Sequence, residues 1–161
     1  MRSHKGHLAP LRLGHIDAAT AIMALGRDEE VGARANATLT LHFRMKELGV
    51  DDGRAYFVWM QDGKVAGVTG LHHYSWGPDE NVWLAWFGVH PDFGRQGIGA
   101  CMLTEMQRLA KASYRRFFIE THGANEKAHR FYQSQGFREA GTIEGYNPDG
   151  APMIVFVKDL V

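Results

Sequence analysis

Three glycines mark the point where a predicted strand gives way to a predicted helix. The strand is the β-branched and aromatic run 82–89, and Gly94, Gly97 and Gly99 follow a turn signal at 90–92. Glycine lets a backbone approach a ligand closely, and the first turn of a helix leaves N–H groups unpaired at the positive end of the helix dipole. The spacing therefore predicts an anion site, most naturally for phosphate, although a glycine-rich tight turn would also explain it.

Two familiar phosphate-binding loops do not fit this stretch. A Walker loop requires Lys and then Ser or Thr after its last glycine, whereas Gly99 is followed by Ala100 and Cys101. A dinucleotide fingerprint requires a small residue where Met102 stands, and it belongs in a first βαβ unit rather than past the middle of the chain. The phosphate therefore belongs to another ligand.

The composition of the chain limits the classes of function that it can have. The chain has 161 residues, enough for one domain with a sizeable core, and its 18 basic and 18 acidic residues balance. No overall positive field gathers nucleic acid or an anionic membrane, and no apolar run approaches the length of a membrane span. With one cysteine and no secretory leader at the amino terminus, the sequence predicts a cytoplasmic protein without an internal disulfide.

Other reactive residues have simpler interpretations. The single cysteine, Cys101, lies within a predicted helix between apolar residues, which favours a buried, inert thiol over a nucleophile. Nine histidines are scattered without metal-ligand spacing, and the adjacent His72 and His73 point to opposite faces of a strand. We therefore predict no metal site.

The elements before the glycine loop are predicted to be a strand, two helices and an antiparallel meander. Residues 8–13 form the strand, Asp17 caps a helix that ends at Gly26, and a second helix covers 29–48. An Asp-Gly turn at 62–63 joins strands at 55–60 and 64–74. The apolar run 82–89 is the third strand of the meander, buried on both faces.

The elements after the glycine loop change the sheet from antiparallel to mixed. A helix from residue 98 to about 112 leads to a strand at 116–121, so these two strands on either side of the helix are expected to be parallel. Asn125 begins a further helix that Gly136 ends, and the last strand is 153–158. The predicted fold is one α/β domain over 1–161, with a mostly antiparallel sheet of six or seven strands and about four helices.

Two motifs in fixed order resemble the Gcn5-related N-acetyltransferase (GNAT) superfamily. The stretch 89–100 is similar to the family's acyl-CoA pyrophosphate loop, and the pattern Asn125-x-x-Ala128-x-x-Phe131-Tyr132-x-x-x-Gly136-Phe137 is similar to its second CoA-contacting helix. The match is dense over about 82–138, while residues 1–50 agree only in outline. In this family that amino-terminal part is where acceptor specificity varies.

The resemblance implies direct transfer of an acetyl group from acetyl-CoA to an amine. Tyr132 is implied as the residue that hydrogen-bonds the departing sulfur and can protonate the thiolate, and the Val89 N–H as the donor that polarises the thioester carbonyl. The residues implied to contact the cofactor are Phe87, Val89, Gly94, Arg95, Gln96, Gly97, Gly99, Ala100, Asn125 and Tyr132.

The sequence departs from the family pattern at two places. Gly94 stands where the commonest family version has Arg or Gln, and no carboxylate occurs between Asn81 and Val89, where some members carry a general base. An amine must lose its proton to attack, so the base is open among an ordered water, Glu80, Glu120, His122 and His73. A cluster of aromatic residues could wall an acceptor pocket or fill the core: Tyr74, Trp76, Trp83 and Trp86.

Two other functions compete with an enzyme. A non-catalytic acyl-CoA-binding or sensing domain is compatible with the missing strand carboxylate, although Tyr132 argues against it. A nucleotide-binding protein would use the same glycine loop. The acceptor amine, the preferred acyl chain and a homodimer, which is common in the family, are not readable from the sequence.

Overall fold

Seven strands form one sheet in the computed structural model, which describes residues 5–161. Alternation of apolar and polar residues, and turn residues between the runs, explain most of the strand boundaries. The strands are β1 (Gly6–Pro10), β2 (Arg54–Gln61), β3 (Lys64–His72), β4 (Asn81–Val89), β5 (Arg116–His122), β6 (Arg138–Ile143) and β7 (Met153–Asp159).

Four helices pack on the sheet, and local capping explains where three of them begin. The Asp28 and Asn125 side chains each accept a hydrogen bond from a backbone N–H in the first turn of their helix, and Gly97 precedes the third helix in a left-handed conformation. The helices are α1 (Ile16–Gly26), α2 (Glu29–Glu47), α3 (Ile98–Lys111) and α4 (Glu126–Ser134).

The strand order is β1-β2-β3-β4-β5-β7-β6. Every neighbouring pair is antiparallel except β4 and β5, which are parallel. The α3 crossover supplies that parallel connection, as the sequence of strand, helix and strand predicts. The predicted fold class is confirmed: a mixed, mostly antiparallel sheet with four helices.

The sheet carries a separate apolar core on each face. Along β2, Tyr56 and Val58 pack with residues of α1 and α2, whereas Phe57 between them packs with residues of α3 and α4. Because side chains of a strand alternate between faces, the α1–α2 pair and the α3–α4 pair cover opposite sides. Any ligand that reaches both faces must therefore pass through the plane of the sheet.

Three elements have predicted boundaries that differ from the structure by two residues or more. Asp17 does not cap α1; it lies in the first turn, and His15, the last residue of a 3₁₀ turn, stands at the cap position. The first strand is Gly6–Pro10 rather than 8–13, and β3 ends at His72 rather than at residue 74. The prediction of one domain over 1–161 includes residues 1–4, which lie outside the described residues.

Candidate active site

The central pair of strands separates within the sheet. β4 and β5 are paired only at Asn81–Arg116, Val82–Phe117 and Trp83–Phe118. Beyond these pairs the register between β3 and β4 shifts, so that Trp86 and Phe87 lie opposite the single residue Thr69. Trp86 has φ +29°, a left-handed backbone conformation that is uncommon for a bulky residue. Such an irregularity bends a strand, and here it accompanies an opening between β4 and β5.

Val89 directs its backbone N–H into this opening. The N–H of the next residue, His90, donates to the Ala66 carbonyl on β3 at 2.8 Å. Residues of an antiparallel pair alternate between positions that bond to the neighbour and positions that point away from it. Val89 lies opposite Gly67, so its N–H faces away from β3 and toward the gap left by β5.

The glycine loop leaves a row of backbone donors at the start of α3. Gly97 has φ +78°, which only glycine adopts without strain, and the first helical hydrogen bond runs from the Cys101 N–H to the Gly97 carbonyl. The amides of Ile98, Gly99 and Ala100 therefore have no helical acceptor, and they stand at the positive end of the helix dipole. This donor set fits a phosphate group.

The other loop residues have distinct environments. The Gly94 N–H donates to the Pro91 carbonyl, so its amide is used within the loop. Arg95 has φ +61° and is exposed, which leaves its guanidinium open to solvent. Gln96 accepts a hydrogen bond from the buried Gln61 amide at 2.7 Å and so ties the loop to the end of β2.

Tyr132 lies on α4, which packs on the same face of the sheet as α3. It is 7% exposed, and its ring packs near Phe87, Phe137 and Phe156. Burial disfavours the phenolate and raises the pKa of Tyr132 to about 12. The side chain therefore keeps its proton at neutral pH and is available as a donor.

One cavity joins Tyr132 to the opening between the strands, whereas Val89 and the glycine loop 94–100 are not among its lining residues. It has a volume of about 330 Å³ and reaches from α1 and α2, across the strand ends, to α4. Its lining includes Phe87, Asn125 and Tyr132 from the predicted site, and Glu120 and His122 from β5. Other lining residues come from the turn between α1 and α2 and from the connection between β6 and β7: Arg27, Tyr146 and Asn147.

Residues 21–137 match the sequence model of the acetyltransferase (GNAT) family. The match covers the α1–α2 region, the glycine loop and α4. The chain belongs to the GNAT acetyltransferase family. Acetyl transfer from acetyl-CoA is the general reaction of this family. Among proteins with curated descriptions, no sequence matches significantly.

Solved structures of this family share the fold. The chain is similar to a GNAT-family putative acetyltransferase from Desulfovibrio desulfuricans, with a TM-score of 0.85, 17% identity, and 97% and 99% of the two chains covered. It is also similar to the ribosomal-protein-S18-alanine N-acetyltransferase from Escherichia coli, with a TM-score of 0.71, 20% identity and 96% and 94% coverage. A third similar structure is a GNAT acetyltransferase from Elizabethkingia anophelis with acetyl-CoA bound, with a TM-score of 0.73, 17% identity and 98% and 99% coverage.

Within residues 5–161 of this GNAT protein, no helix is long and apolar enough to cross a membrane, and no cluster of His, Cys, Asp and Glu could hold a metal ion. Cys101 is half-buried, and burial together with the nearby Glu105 raises the pKa of its thiol. A raised pKa favours the unreactive thiol form.

A second cavity of about 210 Å³ lies on the α1–α2 face and shares Leu84, Trp86 and Glu120 with the first. Sequence reasoning missed three residues that line it: Thr38, Arg54 and His72. Arg54 and His72 face each other as a cross-strand pair of β2 and β3, and the Arg54 Nε donates to His72 Nε2 at 3.4 Å. Only the register of the hairpin could have brought them together.

The four side chains predicted as possible bases are placed differently. Glu80 precedes β4 at the end where β4 and β5 are paired, and His73 hydrogen-bonds the Asn81 carbonyl at that same end. His122 lies near the opening, but its Nδ1 accepts the Ala124 N–H and its Nε2 contacts Asp149 at 2.8 Å, so both ring nitrogens are engaged.

Glu120 differs from the other candidates because it borders both cavities at the opening. Its carboxylate is open to the cleft but surrounded by protein, and this desolvation raises its pKa. A carboxylate with a raised pKa binds protons more readily than an ordinary glutamate. Among the four side chains, Glu120 has the position and the environment of a base.

The members of the aromatic cluster have different environments. Tyr74 lies against Trp76 and Trp83, with ring centroids 5.1 and 5.7 Å apart, and Trp76 is largely exposed. Trp86 packs with the core between the sheet and α1–α2, and it also lines both cavities. Tyr74, Trp83 and Trp86 therefore line the second cavity, and Trp86 also belongs to the core.

Proposed function

We propose that this GNAT protein is an N-acetyltransferase that moves an acetyl group from acetyl-CoA directly to the primary amine of an acceptor. The opening between β4 and β5 carries the proposal. Tyr132 and Glu120 both line the cavity at this opening, and the free amides at the start of α3 lie next to α4, which carries Tyr132. An extended thioester and an amine could meet there from the two faces of the sheet.

The cofactor is held mainly by backbone in this proposal. Amides from Arg95 to Ala100 bind the pyrophosphate, and the Arg95 guanidinium adds charge support. The Val89 N–H donates to the thioester oxygen, where negative charge develops, and a preorganised donor of this kind contributes a few kcal/mol. Three further residues remain predicted contacts of the cofactor: Phe87, Gly94 and Asn125.

Groups of this chain can donate and accept the protons that the acetyl transfer requires. The amine nitrogen forms a bond to the carbonyl carbon, the carbon–sulfur bond breaks, and the sulfur leaves with the electron pair. Tyr132 donates a hydrogen bond or its proton to that sulfur, and the proton lost by the amine passes to Glu120, directly or through water. Cys101 takes no part, since its thiol is poorly placed and its pKa is raised.

The first experiment compares binding with turnover. Acetyl-CoA that binds only the folded protein must raise its Tm by mass action. We expect acetyl-CoA to raise the Tm and ATP or NAD to leave it unchanged, and we expect a panel of amines to cause CoA thiol release. A rise without thiol release for any amine would favour the alternative, a non-catalytic acyl-CoA-binding or sensing domain. An equal rise with ATP or NAD would favour a nucleotide-binding protein.

The variant Tyr132→Phe tests the catalytic assignment. Removing the hydroxyl leaves the buried ring in place, so we expect turnover to fall about 100-fold while acetyl-CoA still raises the Tm. Tyr114→Phe is the matched control, because Tyr114 stacks on His73 at the paired end of β4 and β5. Unchanged turnover in Tyr132→Phe would remove Tyr132 from the role of acid.

A cytoplasmic location and the absence of nucleic-acid and membrane partners remain predictions from the sequence, which leaves a homodimer open. The side chains that line the second cavity indicate which class of acceptor would bind there.

A further inference from the structure

The second cavity contains a cation without an anionic partner. Arg54 is half-buried at the start of β2, and within residues 5–161 it forms no ion pair. The nearest carboxylate in sequence, Asp52, contacts His42 Nδ1 with both oxygens, at 2.9 and 3.0 Å. The Arg54 side chain has neutral polar neighbours only: it makes a long hydrogen bond to His72, and it lies within hydrogen-bonding reach of the Tyr56 hydroxyl.

The neighbouring histidine adds no second charge. Burial, with a contribution from the positive charge of Arg54, lowers the pKa of His72 to about 4. His72 is therefore neutral at neutral pH and can accept a hydrogen bond from the guanidinium. The wall formed by β2 and β3 carries one positive charge, and it belongs to Arg54.

The opposite wall carries the single negative charge of Glu120. Tyr74 lines the same cavity as both charges, and its pKa is raised by burial, raised further by Glu120 and lowered by Arg54. No ion pair joins Arg54 to Glu120 within the described chain, so the cavity separates two opposite charges instead of pairing them. Partial burial of an unpaired guanidinium is unfavourable, and a bound carboxylate would offset that cost with bidentate hydrogen bonds.

We propose that the acceptor is a small amino acid-like molecule whose amine faces Glu120 and whose carboxylate binds Arg54, with its apolar part against the rings of Tyr74, Trp83 and Trp86. This inference rests on the proposed N-acetyltransferase function and names its substrate class. A volume of about 210 Å³ corresponds to about seven water molecules, which suits a free amino acid. A peptide amino terminus carries an amide where the free amino acid has its carboxylate, so it would leave Arg54 unpaired.

The test uses matched pairs of acceptors on the full-length protein. L-Tryptophan, L-phenylalanine and L-methionine are each compared with the corresponding carboxamide, in the presence of acetyl-CoA. Binding is followed by Tm with CoA in place of acetyl-CoA, and transfer is followed by thiol release. The variants are Arg54→Gln, which removes the charge, and Arg54→Lys, which retains it; both keep the backbone N–H that donates to Asp52.

We expect the wild type to favour at least one free acid over its amide by tenfold or more in kcat/KM. Arg54→Gln should abolish that preference by raising KM for the acid, because it removes the positive charge. Arg54→Lys should retain part of the preference, because it keeps the charge. If Arg54 had a purely structural role, the effect of the variants would not depend on the acceptor's carboxylate. Equal use of acids and amides by the wild type would overturn the proposal, as would a preference that survives in Arg54→Gln.

Failure of this inference is distinguishable from failure of the proposed function. If acetyl-CoA raises the Tm and amides or peptides are acetylated while none of the free acids binds, the enzyme is an N-acetyltransferase for another acceptor class. If acetyl-CoA does not raise the Tm, the proposed function itself is wrong.

Discussion

The two sides of the opening differ in which atoms face a ligand. On the proposed cofactor side, the donors for the pyrophosphate are backbone amides from one continuous stretch, 95–100, next to α4. On the acceptor side, the polar groups are side chains that come from four separate elements: Thr38, Arg54, His72 and Glu120. A site made from backbone tolerates little change in its glycines, whereas a site made from side chains can change its ligand one residue at a time. This difference suits one shared cofactor and many acceptors.

Gly97→Glu should have the largest effect on the cofactor side. The variant forces a side chain into a backbone conformation with φ +78°, which costs about 1–2 kcal/mol, and it puts a negative charge where phosphate is expected. We expect acetyl-CoA binding to weaken by about 100-fold or more, measured by titration calorimetry.

Gly49→Glu is the control for that variant. Gly49 has φ +73° with open space around its Cα and follows α2, away from the glycine loop. The Gly49→Glu variant adds the same charge and similar backbone strain. The Tm of this variant should therefore fall, but acetyl-CoA binding should persist. If both variants bind acetyl-CoA as the wild type does, the phosphate site is not at the glycine loop.

Glu120→Gln, a substitution on the proposed acceptor side, should have the next largest effect, and that effect is on turnover. Loss of the base should lower turnover by about 100-fold at neutral pH, with little change in acetyl-CoA binding. In the wild type, kcat/KM should rise with pH as Glu120 ionises. The pH profile of the variant should lack this rise. A variant with normal turnover would leave water as the base.

The same substitution should raise stability. Burial raises the pKa of Glu120 in the folded protein above its unfolded value. Protonated Glu120 therefore contributes to the free energy of unfolding. This contribution is fully present below the pKa of the unfolded chain, and it is lost as the pH rises through the pKa of the folded protein. At neutral pH Glu120→Gln should therefore have a higher Tm than the wild type, and the gain should vanish below about pH 4.3. Glu139→Gln, at an exposed position on β6, is the control.

Gln96→Ala should have the smallest effect, because it removes a side chain and leaves the backbone amide in place. Its side chain bonds Gln61, so only its backbone is expected to serve the cofactor. Acetyl-CoA binding should weaken less than about fivefold, a loss under about 1 kcal/mol. A double-mutant cycle with Gln61→Ala, followed by denaturant unfolding, should show coupling of about 1 kcal/mol. A loss of binding comparable to that in Gly97→Glu would show that the side chain itself contacts the cofactor.

The contrast between backbone and side-chain recognition also explains what could be predicted from the sequence. Gly97 and the helix cap Asn125 are local signals, since each acts on residues within one turn of itself. They were therefore readable without the tertiary structure. Asp17 was assigned wrongly because the 3₁₀ turn before α1, where the Arg12 N–H donates to His15 Nδ1, moves the start of the helix.

The acceptor side was missed because its residues meet only through the sheet register. The Asp-Gly turn correctly predicts the hairpin, and Met60 lies opposite Val65 as such a turn requires. One step further, Trp59 lies opposite Gly67, so the register has shifted by one residue. That shift brings Arg54 opposite His72, and a slip of one residue decides which side chains share a face. The sequence pattern does not reveal this bulge.

The position of β7 has a consequence for the order in which this site is assembled. β5 forms one wall of the opening and has seven residue pairs with β7 but only three with β4. β7 is the last strand of the described chain, and residues 123–152 separate it from β5. Closing so long a segment is entropically costly and slows folding. The glycine loop and α3 can form early from local contacts, whereas the wall that faces them is fixed only when β7 inserts between β5 and β6. We therefore expect the ability to bind acetyl-CoA to arise in the final stage of folding.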